Sequence, residues 1–271
     1  MKTLHNHTII YDSECPMCDI YTKAFIRTGM LDQGGREPFS ETKNNCYKLD
    51  LKRASNEIAL VNKEDNTITY GIQSLFKVIG NSFPIFKPLF DFRPFQAAVL
   101  RLYLFISYNR KVIVPGKSFE GDSSCTPSMN VKYRVLYIGF AWACTSLVLY
   151  YYSALLYDFI PTSTFIREFV ICGGQIVFQA IVVASLRKDR AIHYLGNLMT
   201  ISLGGSILLL PMFVLNNFIS QSLPFLLYFL FVAGLMLLEH IRRVRILGLP
   251  SIISITWIVY RIMVVFIIFA I

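Results

Sequence analysis

Cys15 and Cys18, separated by Pro16 and Met17, are the residues of this chain whose types and spacing best suit covalent chemistry. Two thiols three residues apart on one helical turn can close a disulfide. If the turn opens a helix, its unpaired N–H groups and positive end stabilise the thiolate of the first cysteine. Thiol–disulfide exchange is the leading reading, beside a structural or vestigial pair and a metal site. Zinc needs four ligands, and only Cys46, Cys125, His5 and His7 could complete a set, at spacings that match no standard zinc pattern. Cys46 reads as an ordinary buried thiol. Cys125, in a Gly-Asp-Ser-Ser loop, reads as an exposed or resolving one. Asp12 and Glu14 put negative charge beside Cys15 and oppose the helix-end effect on its pKa. Cys15, nearest the helix start, is expected to be the more exposed thiol and to alkylate faster than Cys18.

Several elements must position this pair. His7 to Tyr11 (HTIIY) is apolar and β-prone, Asp12-Ser13-Glu14 is a turn, and Cys15 to Phe25 reads as a helix with one apolar side. Proline suits the first helical turn, where its missing N–H is not needed. Glu57–Asn62 (EIALVN) and Thr67–Tyr70 (TITY) flank Lys63-Glu64-Asp65-Asn66, a hairpin signal, and Ile72–Ile79 follows Gly71 with helical spacing. Strand, CxxC, helix, hairpin and helix in this order predict a small α/β domain of the thioredoxin type. Pro84–Asn109 is rich in Phe, Leu and Tyr but interrupted by Lys87, Asp91, Arg93 and Arg101. It reads as a core helix of that domain, or as one docking on a bilayer or on a helical bundle.

The run Tyr-Asp-Ser-Glu-Cys-Pro-Met-Cys at 11–18, the hairpin with Gly71 and a helix after it, Tyr108-Asn109-Arg110 at a helix end, and the single Cys125 downstream resemble the DCC family of thiol–disulfide oxidoreductases over residues 5–128. The resemblance implies a thioredoxin-like fold, with Asp12, Cys15 and Cys18 as the characteristic motif and Cys15 as the nucleophile. One departure bears on mechanism. Thioredoxins place a cis-proline before the central hairpin, and Lys52–Glu57 (KRASNE) has no proline.

The rest of the chain is of another character. Apolar residues make up 54% of the 271 and the mean hydropathy is +0.50. Of 26 Lys and Arg, 18 fall in residues 1–134, with 13 of the 17 Asp and Glu. A span needs about 20 apolar residues. Five are predicted, at about 135–157, 165–186, 191–215, 223–238 and 251–271. Asn216, Asn217, Ser220, Gln221 and Ser222 divide the 48 charge-free residues from Ala191 to Leu238. Cys144 and Cys172 lie within spans, where helix packing is the plain reading and a redox role the sharper one. Arg261 falls in mid-span, where a charge should face protein or water. Glu168 is its expected partner, and Glu239 is less well placed.

Lys and Arg are retained in cytoplasmic loops. Arg187, Lys188 and Arg190 in one predicted loop, and Arg242, Arg243 and Arg245 in another, place the amino-terminal domain in the cytoplasm and the carboxyl terminus outside. The start of the chain carries no secretory signal pattern, in agreement. The net charge of +9 is spread over both halves and does not indicate nucleic acid.

The expectation is therefore an α/β thioredoxin-like domain over 1–130, followed over 131–271 by an all-α transmembrane bundle of about five helices in the inner (cytoplasmic) membrane. Function is expected to be thiol–disulfide exchange, with Cys15 attacking, Cys18 resolving and Asp12 completing the site, and no cofactor or metal. Partners are the lipid bilayer and a protein thiol or disulfide substrate or a membrane complex. The rival readings are a non-enzymatic membrane subunit whose small domain docks a partner complex, and a transporter or electron conduit built on the spans.

Overall fold

The structure, a computed structural model, describes residues 2–44, 49–116 and 129–270. Cys46 and Cys125 lie outside the described residues. The chain divides into two compact units, Met1–Tyr133 and Arg134–Ile271.

The first unit is built on a four-stranded mixed sheet. β1 (His7–Tyr11) runs parallel to β2 (Arg36–Pro38) and antiparallel to β3 (Ala59–Asn62), which pairs antiparallel with β4 (Ile68–Tyr70), giving the order β2-β1-β3-β4. The registers Ile9↔Leu60 and Leu60↔Thr69 put β1 and β3 at the centre. Both faces of this centre are covered, and His7 to Ile10 are all buried. Ile9, Ile58 and Leu60 pack with Phe25, Leu31 and Val78 on one side, and Ile10, Ala59 and Val61 with Ala54 on the other. This alternation is the two-residue period of a strand.

Helix α1 (Pro16–Arg27) follows β1 and turns Cys18, Thr22 and Phe25 inward at intervals of four and three. Helix α2 (Leu51–Asn56) is capped by Asp50, whose carboxylate accepts from Arg53 N–H at 3.0 Å. Helix α3 (Ile72–Ser82) starts at Gly71, whose φ of +64° favours glycine. The hairpin, α1 and α3 stand where the sequence placed them. Strand β2 and helix α2 are additions that no hydrophobic pattern announced.

Residues 84–113 form a short 3₁₀ turn, α4 (Lys87–Asp91) and α5 (Arg93–Ile113). Only the last part of α5 is core, with Ser107, Asn109, Arg110 and Val112 buried. Ile85, Phe92 and Leu102 are 81%, 58% and 56% exposed, so this segment as a whole is not the core helix that one of the two sequence readings expected.

Among the described residues four continuous helical segments are long and apolar enough to cross a membrane: Val131–Leu156, Phe165–Leu215, Leu223–Ile246 and Ile252–Phe269. They contain α6 (Val131–Ser153), α7 (Phe165–Arg187), α8 (Ala191–Leu209), α9 (Pro211–Leu215), α10 (Leu223–Ile246) and α11 (Ile252–Ala270). The 51-residue segment is not one straight helix. Arg187 leaves the helical region with φ −149° and ψ 77°, and a 3₁₀ turn over Lys188–Arg190 follows. Across that break Tyr194 donates to Gln179 Oε1 at 3.1 Å. Fifteen residues of straight helix would hold those groups about 22 Å apart, so α7 and α8 fold back on each other.

Two helices run past the expected spans. Helix α6 begins at Val131 rather than 135, and α10 runs to Ile246 rather than 238. Arg242, Arg243 and Arg245 are thus helical residues and not part of a loop. Glu239 fits the extension: it accepts from Arg242 at 2.6 Å and Arg243 at 2.7 Å, at the i,i+3 and i,i+4 spacings that are neighbours on a continuous helix. Arg243 also donates to Asn197 Oδ1 at 2.9 Å and is buried.

Candidate functional site

The end of β1 leads directly into the cysteine turn. Asp12 shapes it: its carboxylate accepts from Glu14 N–H at 3.1 Å, and its carbonyl accepts from Cys15 N–H at 3.2 Å. Cys15 is the N-cap of α1, with Pro16 in the first turn, and its sulphur accepts from Cys18 N–H at 3.5 Å. The two thiols are unbridged.

Their environments push the two sulphurs apart in acidity. Cys15 is lowered from the ordinary thiol value of about 9 to about 6, first by the hydrogen bond from the Cys18 thiol. The Cys18 N–H and the Arg110 guanidinium lower it further, while burial and Asp12 act in the opposite direction. The charge effect of Asp12 has the expected sign, but it is outweighed. Cys18 is raised, because it donates to Cys15 and is buried. One thiolate and one thiol sharing a proton is the arrangement in which a nucleophile and a resolving thiol are distinct.

Arg110 is the group whose role the sequence did not disclose. It comes from the last turn of α5, and Nη2 lies 3.2 Å from Asp12 Oδ2 with both side chains buried. Its guanidinium also donates to the carbonyls of Ser55 at 3.0 Å and Asn56 at 3.2 Å, at the end of α2. A buried guanidinium with a carboxylate and two carbonyls keeps its charge at the base of the site. Tyr21, one turn after Cys18 and on the same face of α1, is a second addition. Its phenol lines the same cavity as Cys18, and burial pushes its pKa well up. Helical spacing from Cys18 could have found it, whereas no spacing along the chain pairs Arg110 with Asp12 across 98 residues, although both fall in stretches that carry the family resemblance.

Asp12, Cys18, Tyr21 and Arg110 line one cavity of about 210 Å³, together with Tyr103 and otherwise mainly apolar side chains. Tyr103 accepts from Ile58 N–H at 3.0 Å, and the Ile58 carbonyl accepts from Gly71 N–H at 2.8 Å. Both backbone groups of the residue just ahead of β3, where the expected fold would carry its proline, are therefore committed within the unit. Burial raises the Tyr103 phenol to about 12, so it stays a neutral hydrogen-bonding group.

The expected exposure of Cys15 is corrected: it is 2% exposed, against 7% for Cys18. Gly116 passes over the turn so closely that an added Cβ would lie 2.8 Å from the Glu14 carbonyl oxygen. His5 and His7 are engaged elsewhere, with Asp32 at 2.8 Å and with the His5 carbonyl at 2.7 Å. Among the described residues no three His, Cys, Asp or Glu side chains gather as a metal site would require.

In the second unit Glu168 does not meet Arg261. It pairs with Arg167 at 3.0 Å and accepts from Ser163, because it lies in the first turn of α7, beside the polar residues that precede the helix. Arg261 instead lies over the Trp257 ring, 4.1 Å from its centre. A separate buried chain of hydrogen bonds links Tyr194 to His240 at 2.9 Å and His240 to Ser254 at 3.2 Å, and Gln179 donates to Thr256 at 3.3 Å. With the Tyr194 hydrogen directed to Gln179, His240 donates from Nε2 to the Tyr194 oxygen. Cys144 and Cys172 are unbridged. No family model, curated protein or solved structure matches the chain.

Proposed function

We propose that the protein is a membrane-anchored thiol–disulfide oxidoreductase of thioredoxin-like fold, related to the DCC family, with Cys15 as its nucleophile. The observation that carries this reading is the division of acidity between the two sulphurs, with Cys15 held near 6 and Cys18 kept protonated beside Arg110 and Asp12. The strand order β2-β1-β3-β4 with β3 antiparallel to its neighbours supports the fold. The Cys15 thiolate attacks one sulphur of a substrate disulfide, forming a mixed disulfide and releasing the other sulphur as a thiolate. Cys18 then gives up its proton, for which Asp12 in the shared cavity is the acceptor we assign. It attacks Cys15 and releases the second substrate thiolate. Two electrons pass to the substrate, the Cys15–Cys18 disulfide forms, and a dithiol reductant restores the pair.

The four apolar helical segments fit a multi-pass membrane protein. Five crossings, with α7 and α8 as a hairpin, and a cytoplasmic first unit complete the proposal. The basic turn Arg187–Arg190 supports this orientation. The test is a Cys18→Ser variant, which should trap a substrate protein on Cys15 as a mixed disulfide that reductant releases. If no protein is trapped, and oxidant closes no disulfide between residues 15 and 18 in the native chain, the redox reading fails. The burial of both thiols favours a second reading, a docking module in a membrane complex. That role would survive Cys15→Ser, whereas exchange would be abolished.

A further inference from the structure

The second unit holds a cavity of about 70 Å³ whose walls come from α6, α7, α8, α10 and α11. Three groups in its lining are hydrogen-bond donors without a partner: Arg261 Nε, Gln175 Nε2 and the Thr145 hydroxyl. Gln175 and Thr145 are 8% and 6% exposed, so solvent does not serve them. Arg261 stacks one face on Trp257, which leaves the N–H groups in the guanidinium plane to find acceptors. Among the described residues no carboxylate lies within ion-pair distance of it, and no acidic side chain lines the cavity. Ser206 adds no donor, since its hydroxyl is spent on the Ser202 carbonyl at 2.8 Å. Arg261 and Gln175 both fall near the middle of their helices, α11 and α7, far from any polar end. A half-buried guanidinium whose Nε is buried without a partner, with two more unpartnered donors beside it, lacks an acceptor that carries negative charge.

We propose that this cavity binds a small monoanion, of the size range from chloride to formate, held by Arg261, Gln175 and Thr145. One negative charge balances the single guanidinium, whereas a dianion would leave an excess charge among apolar walls. Water could accept from these donors but would not neutralise the charge. The volume takes a few atoms and excludes longer acids.

The test uses the purified full chain in uncharged detergent with gluconate as the background anion. Thermal unfolding is followed while chloride, bromide or formate replaces gluconate. The expected result is a saturable rise in Tm with each small monoanion, none with sulfate, and no rise in Arg261→Gln. Gln175→Leu and Thr145→Val should each raise the half-saturating concentration by about tenfold, as the loss of one charge-assisted hydrogen bond predicts. Unfolding that ignores the anion, a rise that is largest with sulfate, or an equal rise in Arg261→Gln overturns the proposal. Should Arg261→Gln not fold, the other two variants decide, and half-saturation unchanged in both also overturns it.

Discussion

At Cys15 the low pKa and the burial act on different parts of its reactivity. The alkylation rate should titrate with a midpoint near pH 6, because the reactive form is the thiolate. Its plateau should stay well below that of a free thiolate, because the sulphur is covered. Cys18→Ala removes the largest lowering influence and should move the midpoint up towards 9, and Arg110→Met should move it up by less. Thiolate absorbance against pH is the second readout. The same shift has a sign in stability. Below about pH 6 Cys15 is a thiol in both folded and unfolded chains and contributes nothing. Between about 6 and 9 the folded form alone is ionised, so stability should rise with pH across that window. Cys18, raised in the folded state, works against stability only above about 9. The Arg110–Asp12 pair is buried on both sides, so Arg110→Met strands a carboxylate and should cost about 3–5 kcal/mol. The added change Asp12→Asn should recover much of that, by denaturant unfolding of the two variants.

The elements show where local pattern suffices and where it does not. β1, α1, the hairpin and α3 were legible because each carries its own period or turn signal. β2 is three residues, Arg-Glu-Pro, with no apolar member, and it exists only because β1 offers it an edge. Arg110 and Tyr103 reach the site from α5 by tertiary folding, which no spacing along the chain records. Between helices of the second unit, close approach depends on glycine. A Cβ at Gly174 would collide with the Tyr260 hydroxyl, which donates to the Ile171 carbonyl at 2.7 Å. Gly174→Leu should therefore force α7 and α11 apart and cost about 1–3 kcal/mol, read as a lower Tm in detergent, whereas Gly204→Ala, which meets nothing within 4 Å, should leave Tm unchanged or slightly raised.

For the whole molecule, charge and hydropathy foretold a membrane region after a polar one, and two of its helices run beyond their apolar stretches. The Glu239–Arg243 pairs prolong α10 beyond its apolar run, and such pairing is invisible to a hydropathy window. The expected Glu168–Arg261 pair failed for a related reason: a carboxylate at a helix start has local partners, and depth along two helices does not make them neighbours. Membrane-impermeant labelling of single cysteines placed at Lys63, Lys188 and Asn217, in a background with the native cysteines replaced, tests the orientation. Lys63 and Lys188 should be protected in intact cells and Asn217 labelled, and protection of Asn217 would remove the five-crossing arrangement. The covered Cys15 sulphur carries one further consequence. A thiol that is acidic yet inaccessible is kinetically insulated: peroxide and glutathione reach it slowly whatever the equilibrium favours. If the proposed exchange operates, the oxidation state of the pair would be a record of its last macromolecular encounter and not a gauge of the surrounding redox buffer.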